Sequence, residues 1–379
     1  MPVPLRLSLF YAAFFLAGGV QLPFWPVWLA SRGLDAAQIG ALLALGQWAK
    51  IAANPFTGAF ADRSGDPRRV MLLLSAVCLA GYLLCVPARG FFALAVLNAL
   101  TAAALASILP IGDSMALAAT RHGKADYGRV RVWGTLAFIA ATLVGGRILA
   151  GRGADVILYL VIALTALNLG SCLLLPRAAT HLNAVRGPAW RSMLTRRHLL
   201  FLATATLINA SHSVYYAFGT LHWQAQGFSD STIAWLWAEG AGAEAVFFFL
   251  GAGLVARWGP AKLLALGGAA GVVRWTALAL TADLRLLVIV QLLHAGTLAA
   301  AHLGAMHYLS RSIPAEHAAT GQAVFSAVIG GAGYGVVLLA SGWLYGSFGG
   351  AAYFAMAGIA GVAVLSALLL GRVTAVTNS

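Results

Sequence analysis

Residues 58–70 read GAFADRSGDPRRV, and residues 251–263 read GAGLVARWGPAKL. Both stretches leave one apolar run and enter another. Each carries a Gly on the incoming side, a basic residue at the turn (Arg63, Arg257), a Gly in the turn (Gly65, Gly259) and a basic residue opening the next run (Arg68, Lys262). A turn used twice at matching places points to a chain made of two related halves.

Working outward, the surroundings of both turns are oily. Of 379 residues, 61% are hydrophobic and 9% charged, where a soluble domain is nearer one quarter charged. So few charges cannot cover a water-facing surface, so the solvent is largely lipid. A spanning helix needs ~20 mostly apolar residues. Such runs fall at 7–30, 37–61, 70–88, 91–118, 130–150, 154–176, 199–225, 231–256, 262–281, 284–310, 318–345 and 350–371. The first of them follows a single Arg6 and continues past Pro23 and Pro26 to Trp28, which reads as an uncleaved helix rather than a signal peptide. One long polar stretch, 177–198, divides the chain. The expected fold is therefore all-α and integral to the membrane. It has twelve transmembrane helices in two six-helix pseudo-symmetric halves, 1–176 and 199–379, joined by a cytoplasmic linker.

The net charge of +13 fits this picture without nucleic acid. Arg6, Arg63, Arg68, Arg69, Arg121, Lys124, Arg129, five arginines in 177–197, Arg257, Lys262, Arg311 and Arg372 all fall at one set of ends; the other set has only Arg32, Arg89, Arg147, Arg152 and Arg285. By the positive-inside rule the first set faces the cytoplasm, and so do both termini. Cys78, Cys85 and Cys172 lie inside apolar runs with no CxxC, so they read as packing residues rather than a disulfide or metal framework.

The turn Gly58–Arg69 resembles the loop 2–3 signature of the major facilitator superfamily. DYGRVRVWGTLAFI (126–139), SHSVYYAFGTLHWQAQGFS (211–229), GAEAVFFF (242–249), GVVRW (271–275) and QLLHAGTLAAAHLGAMHYL (291–309) resemble its phenylpropionate-transporter branch. The resemblance runs in order over most of the chain. It implies a secondary transporter in a bacterial inner membrane, coupling protons to uptake of a small aromatic carboxylate such as 3-phenylpropionate. Efflux of drugs or metabolites, or symport of a sugar or nucleoside, would use the same fold.

A charge at the bilayer centre is disfavoured by ~3 kcal/mol or more, so buried ionisable groups are functional candidates. Glu244 lies ~20 Å, His294 ~15 Å and Arg274 ~12 Å from the outer ends of their spans, with Glu239 at a depth like that of Arg274. His302 is further in, and Lys50 is near the midplane of the first half. Glu239 and Glu244 are five apart and point ~140° away from each other, so they are not a dyad. The resemblance assigns proton coupling to Glu244. An acid whose cationic neighbour changes between two conformations can load and release a proton, and Arg274 and His294 are the expected neighbours. His302 and Glu239 complete the coupling candidates. A fixed ion pair that locks helices is the structural alternative.

Arg274 and Lys50 are the expected receptors for a substrate carboxylate, with Trp48, Tyr215, Tyr216, His212 and Trp237 as lining. Trp25, Trp28, Trp223 and Trp235 stand near span ends and read as an interfacial belt. Asp62, Arg63 and Arg68, with Asp113 and Arg131, read as gating or helix-locking groups. Pro23, Pro26, Pro55 and Pro110 are expected to interrupt their spans. No Walker motif or filter loop occurs, so neither ATP nor another cofactor is expected, and the glycine run 330–335 sits in a span rather than after a strand. HGKAD (122–126) approaches a membrane-acyltransferase His–Asp pair but is one residue short. The expected partners are a small solute, protons and lipid, and the chain is expected to act as a monomer.

Overall fold

A computed structural model describes residues 1–176, 195–313 and 318–376. The expected linker lies outside the described residues except for its last four. A helix occupies every one of the twelve apolar segments, and there is no strand among the described residues. In order these are α1 (Val3–Ser31), α2 (Ala36–Ser64), α3 (Pro67–Cys85), α4 (Phe91–Arg121), α5 (Tyr127–Leu149), α6 (Asp155–Leu174), α7 (Arg196–Ala210), α8 (Ser213–Ala225), α9 (Asp230–Leu250), α10 (Ala252–Leu280), α11 (Leu284–Leu292), α12 (Ala301–Ser312), α13 (Ala318–Ala327), α14 (Tyr334–Phe348) and α15 (Ala352–Val376). By length and composition, nine stretches among the described residues can cross a membrane. The α2 segment is not among them, and it carries Gln38, Gln47, Lys50 and Asn54.

The two opening stretches fold alike. Gly65 ends α2 at φ +63°, and Asp66 caps α3 with Pro67 at its first position. Gly259 takes φ +70° inside the α10 range, and Pro260 restarts the helix there. Positive φ favours Gly, and Pro suits the first helical position. HGKAD has the same structural purpose: Asp126 accepts from the Arg129 N–H at 2.9 Å and caps α5.

The prolines do not break their helices, contrary to expectation. Helix α1 runs unbroken through Pro23 and Pro26, and α4 through Pro110; α2 likewise spans position 55. Pro23 has no N–H to offer the Gly19 carbonyl. The Thr142 hydroxyl of α5 donates to that carbonyl instead, at 2.8 Å. Neighbouring helices commonly re-satisfy such groups in membrane proteins. The approach is close, because a Cβ on Gly19 would overlap the Phe138 carbonyl.

Two compact units emerge. Residues 1–183 and 223–238 form the first; 184–222 and 239–379 form the second. Within the first, α1 packs on α5 and α6, and α4 on α2 and α3. Three of the four tryptophans assigned to an interfacial belt are core residues instead: Trp25, Trp28 and Trp223 are buried, and only Trp235 is exposed. Trp25 stacks on Trp28 at 4.6 Å and donates to Asn98 Oδ1. The indole N–H has a buried acceptor, so this ring has no need of the interface. Cys78, Cys85 and Cys172 are buried and free.

Within the second unit, α15 packs on α7 and α10, and α10 on α12. Two π-helical turns, Ala295–Ala300 and Val328–Gly333, interrupt the tenth and eleventh apolar segments. Asn209 of α7 donates to the Ile329 carbonyl in the second of them at 3.1 Å.

Candidate functional site

The second unit is built around one arginine. Arg274 of α10 is fully buried among apolar helices. A guanidinium only donates, so its neighbours must accept. Nη1 donates to His294 Nδ1 at 2.7 Å and to Thr297 Oγ1 at 3.3 Å. Nη2 donates to Gln291 Oε1 at 2.8 Å. The Tyr215 and Trp275 rings lie 4.4 and 4.7 Å from the guanidinium carbon, within cation–π range.

Three hydrogen-bond chains lead away from this head. In the first, His294 Nδ1 accepts, so its ring proton sits on Nε2, which lies 3.6 Å from Glu244 Oε2. In the second, Thr297 meets His212 Nε2 at 3.1 Å, and His212 Nδ1 donates to the Ile208 carbonyl at 2.9 Å. A carbonyl only accepts, so His212 is neutral, with its proton on Nδ1. In the third, Gln291 Nε2 donates to the Tyr215 hydroxyl at 3.0 Å. Trp275 is held by its own bond to Ser211 Oγ at 3.1 Å, and Tyr216 stacks on His212 at 5.7 Å.

The array thus joins Arg274, His294, Glu244, His212, Tyr215 and Tyr216, all read from the sequence as coupling or binding residues. Glu244 keeps a quarter of its side chain exposed. Glu239, half-buried on the same helix, has a buried Oε2 with no hydrogen-bond partner. His302 stands apart, edge-on to Phe248 at 5.8 Å. Gln291, Thr297 and Trp275 were missed. Gln291 and Thr297 flank His294 at three residues on either side, and that spacing was the available signal.

The remaining candidates belong to the first unit. Lys50 and Trp48 are half-buried, and Lys50 has no ion pair among the described residues. Trp237 is buried edge-on to Trp223 at 6.3 Å. Asp113 and Arg131 do not form a direct pair; Tyr11 stands between them. The Tyr11 hydroxyl donates to Asp113 Oδ1 at 2.6 Å, and Tyr127 adds a second donor at 3.2 Å. Arg131 lies over the Phe15 ring at 4.3 Å and the Tyr11 ring at 5.4 Å. Arg68 donates to the Leu173 carbonyl, and Arg63 is exposed. The Asp62 side chain lies outside those described.

A fully buried cation bound to neutral acceptors, with a partly open carboxylate at one remove, can exchange charge with a solute without breaking a core ion pair. Comparison with known proteins agrees with this use. Residues 4–356 match the model of the MFS_1 like family. The chain is 32% identical to a protein of Escherichia coli (strain K12) described as "Probable 3-phenylpropionic acid transporter", over 93% of this chain and 94% of that one. It is 31% identical to the maltose permease of Geobacillus stearothermophilus, over 96% and 93%. Among solved structures, the D323A mutant of the nucleoside transporter NupG superposes with a TM-score of 0.89 at 17% identity, covering 97% of this chain and 99% of that one. A bacterial homologue of the lysosomal transporter Spinster, inward-facing and unoccupied, gives 0.77 at 15% identity, covering 98% and 96%. These two likenesses concern the fold alone.

Proposed function

The chain belongs to the MFS_1 like family of major facilitator transporters, and from that premise we propose proton-coupled uptake of a small aromatic carboxylate such as 3-phenylpropionate. It is a multi-pass membrane transporter and not an enzyme. The observation that carries the proposal is the line Arg274–His294–Glu244. With Glu244 ionised, its charge offsets Arg274 through the neutral imidazole. With Glu244 protonated, the buried cation lacks a counter-charge, and a substrate anion restores it. Protonation then favours anion binding, and release of one favours release of the other.

Arg274 acts from behind the surface, since both its terminal nitrogens are already committed. The direct receptors in this reading are Lys50 and Arg131, neither of which has a carboxylate partner among the described residues. Arg131 between Phe15 and Tyr11 offers an aromatic floor to an aryl acid. Trp48 and Trp237 extend the apolar lining. Arg63, Arg68 and Asp62 serve conformational locking, and the six-span halves 1–176 and 199–379 are the units of the cycle. The protein sits in a bacterial inner membrane with both termini cytoplasmic; activity of a phosphatase fused to the C-terminus, an enzyme active only outside, would refute that orientation.

The likeness to a maltose permease supports a second reading, sugar symport. One assay separates the two. Proteoliposomes with acid outside should accumulate labelled 3-phenylpropionate, and a protonophore should abolish the accumulation. Uptake of maltose with no uptake of the acid would favour the second reading. Proton-driven loss of either solute from loaded vesicles would instead indicate an exporter.

A further inference from the structure

The second unit contains a cavity of about 260 Å³ that the transport reading leaves unused. One end is formed by His212 and Thr297, the residues behind Arg274; from there it extends past Ala205 and Ala305 toward the helix ends that carry Arg197 and Arg311. Both π-helical turns border it, through Thr297 and Leu298 on one and Ile329 and Gly330 on the other. Such turns often mark functional sites.

Its chemistry is uncharged. No Lys, Arg, Asp or Glu lines it. His212 has both ring nitrogens engaged and presents only its ring. Asn209 commits one N–H to the Ile329 carbonyl and keeps its amide oxygen for an incoming donor. His302 and Ser326 add polar groups toward the open end, and the Phe325 ring and aliphatic side chains supply the rest. An anion here would find no cation to contact directly, because Thr297 stands in front of Arg274. A cation would meet the field of that arginine. The volume is below the ~300–1,000 Å³ usual for drug-sized ligands, so one ring with a short polar tail fits.

We propose that this cavity is a second ligand site, for small uncharged molecules that join one ring to a hydroxyl or amide group. Its occupant presses on His212 and Thr297 and so acts on Arg274. The site is independent of what is transported and in which direction.

The test needs no transport. Ser326, exposed at the cavity, is changed to cysteine in the full chain reconstituted in lipid. Cys78, Cys85 and Cys172 are buried in the first unit, so the new thiol is the reactive one. Its alkylation by N-ethylmaleimide is timed by mass spectrometry with rising 3-phenylpropan-1-ol or 3-phenylpropionate. The alcohol should slow alkylation saturably, about five-fold when four-fifths of sites are filled, and the carboxylate should not. Adding Ala305→Leu, which fills the cavity, should abolish the protection. Absence of protection, protection that rises without saturation as lipid partitioning predicts, protection that survives Ala305→Leu, or equal protection by the carboxylate would each overturn the proposal. Gly330→Cys provides the same readout should Ser326→Cys not fold.

Discussion

Arg274 decides which nitrogen of His294 carries the proton. The guanidinium donates to Nδ1 at 2.7 Å, which leaves Nε2–H as the only ring proton, facing Glu244 at 3.6 Å. A doubly protonated ring would set N–H against N–H. The imidazole therefore relays charge while staying neutral, and Glu244 is the group free to gain a proton. Glu244→Gln mimics the protonated acid. It should keep anion binding and exchange, lose accumulation driven by a pH gradient, and show uptake flat with external pH. Wild-type uptake should rise as external pH falls. A variant that still accumulates substrate would remove Glu244 from the coupling role.

Gln291 holds the other side of the guanidinium. Gln291→Leu keeps the volume and removes the acceptor of a charged donor, which costs ~1.5–3 kcal/mol. The Tyr215 hydroxyl loses its donor at the same time. The expected result is a lower thermal midpoint and weakened coupling together. Unchanged stability would mean that water replaces the amide.

Arg131 separates anion recognition from coupling. Arg131→Lys retains charge but loses the planar fork. Affinity for 3-phenylpropionate should fall about tenfold, ~1.4 kcal/mol, while binding of a neutral analogue is unaffected. If Lys50→Ala and Arg131→Ala both leave anion binding intact, recognition lies elsewhere.

The Thr142–Gly19 bond exists because Pro23 withholds an N–H. Thr142→Val should cost ~0.5–1.5 kcal/mol in the wild-type background. In a Pro23→Ala background the carbonyl regains a helical donor, and the penalty should shrink. A double-mutant cycle measures the difference; additive effects would break the link between the two residues.

Much of the fold was legible because lipid leaves few options. Every apolar run became helix, and both Gly-containing turns fell where Gly65 and Gly259 put them. The candidate site was half legible. Charged residues in apolar surroundings announce themselves, which is why Arg274, His294 and Glu244 were found. Gln291 and Thr297 carry no charge, and such residues are common enough in helices to pass unremarked. The aromatic belt was misread because position along a helix does not report which way a ring faces: Trp25 turns inward to Asn98, while Trp235 turns outward. Proline positions misled for a related reason, since the donor that rescues Gly19 lies 123 residues away.

The π-helical turn at 295–300 also sets an angle. On an α-helix each residue advances ~100°; a wider turn absorbs an extra residue and rotates everything after it. The turn begins one residue after His294 and ends before His302, so those two histidines differ in facing by more than their spacing states. Only His294 joins the arginine. Removing one residue from 295–300 would tighten the turn and swing the rest of the span, His302 included, by about 100°. At the level of the gene, which histidine serves the array depends on the presence of one codon.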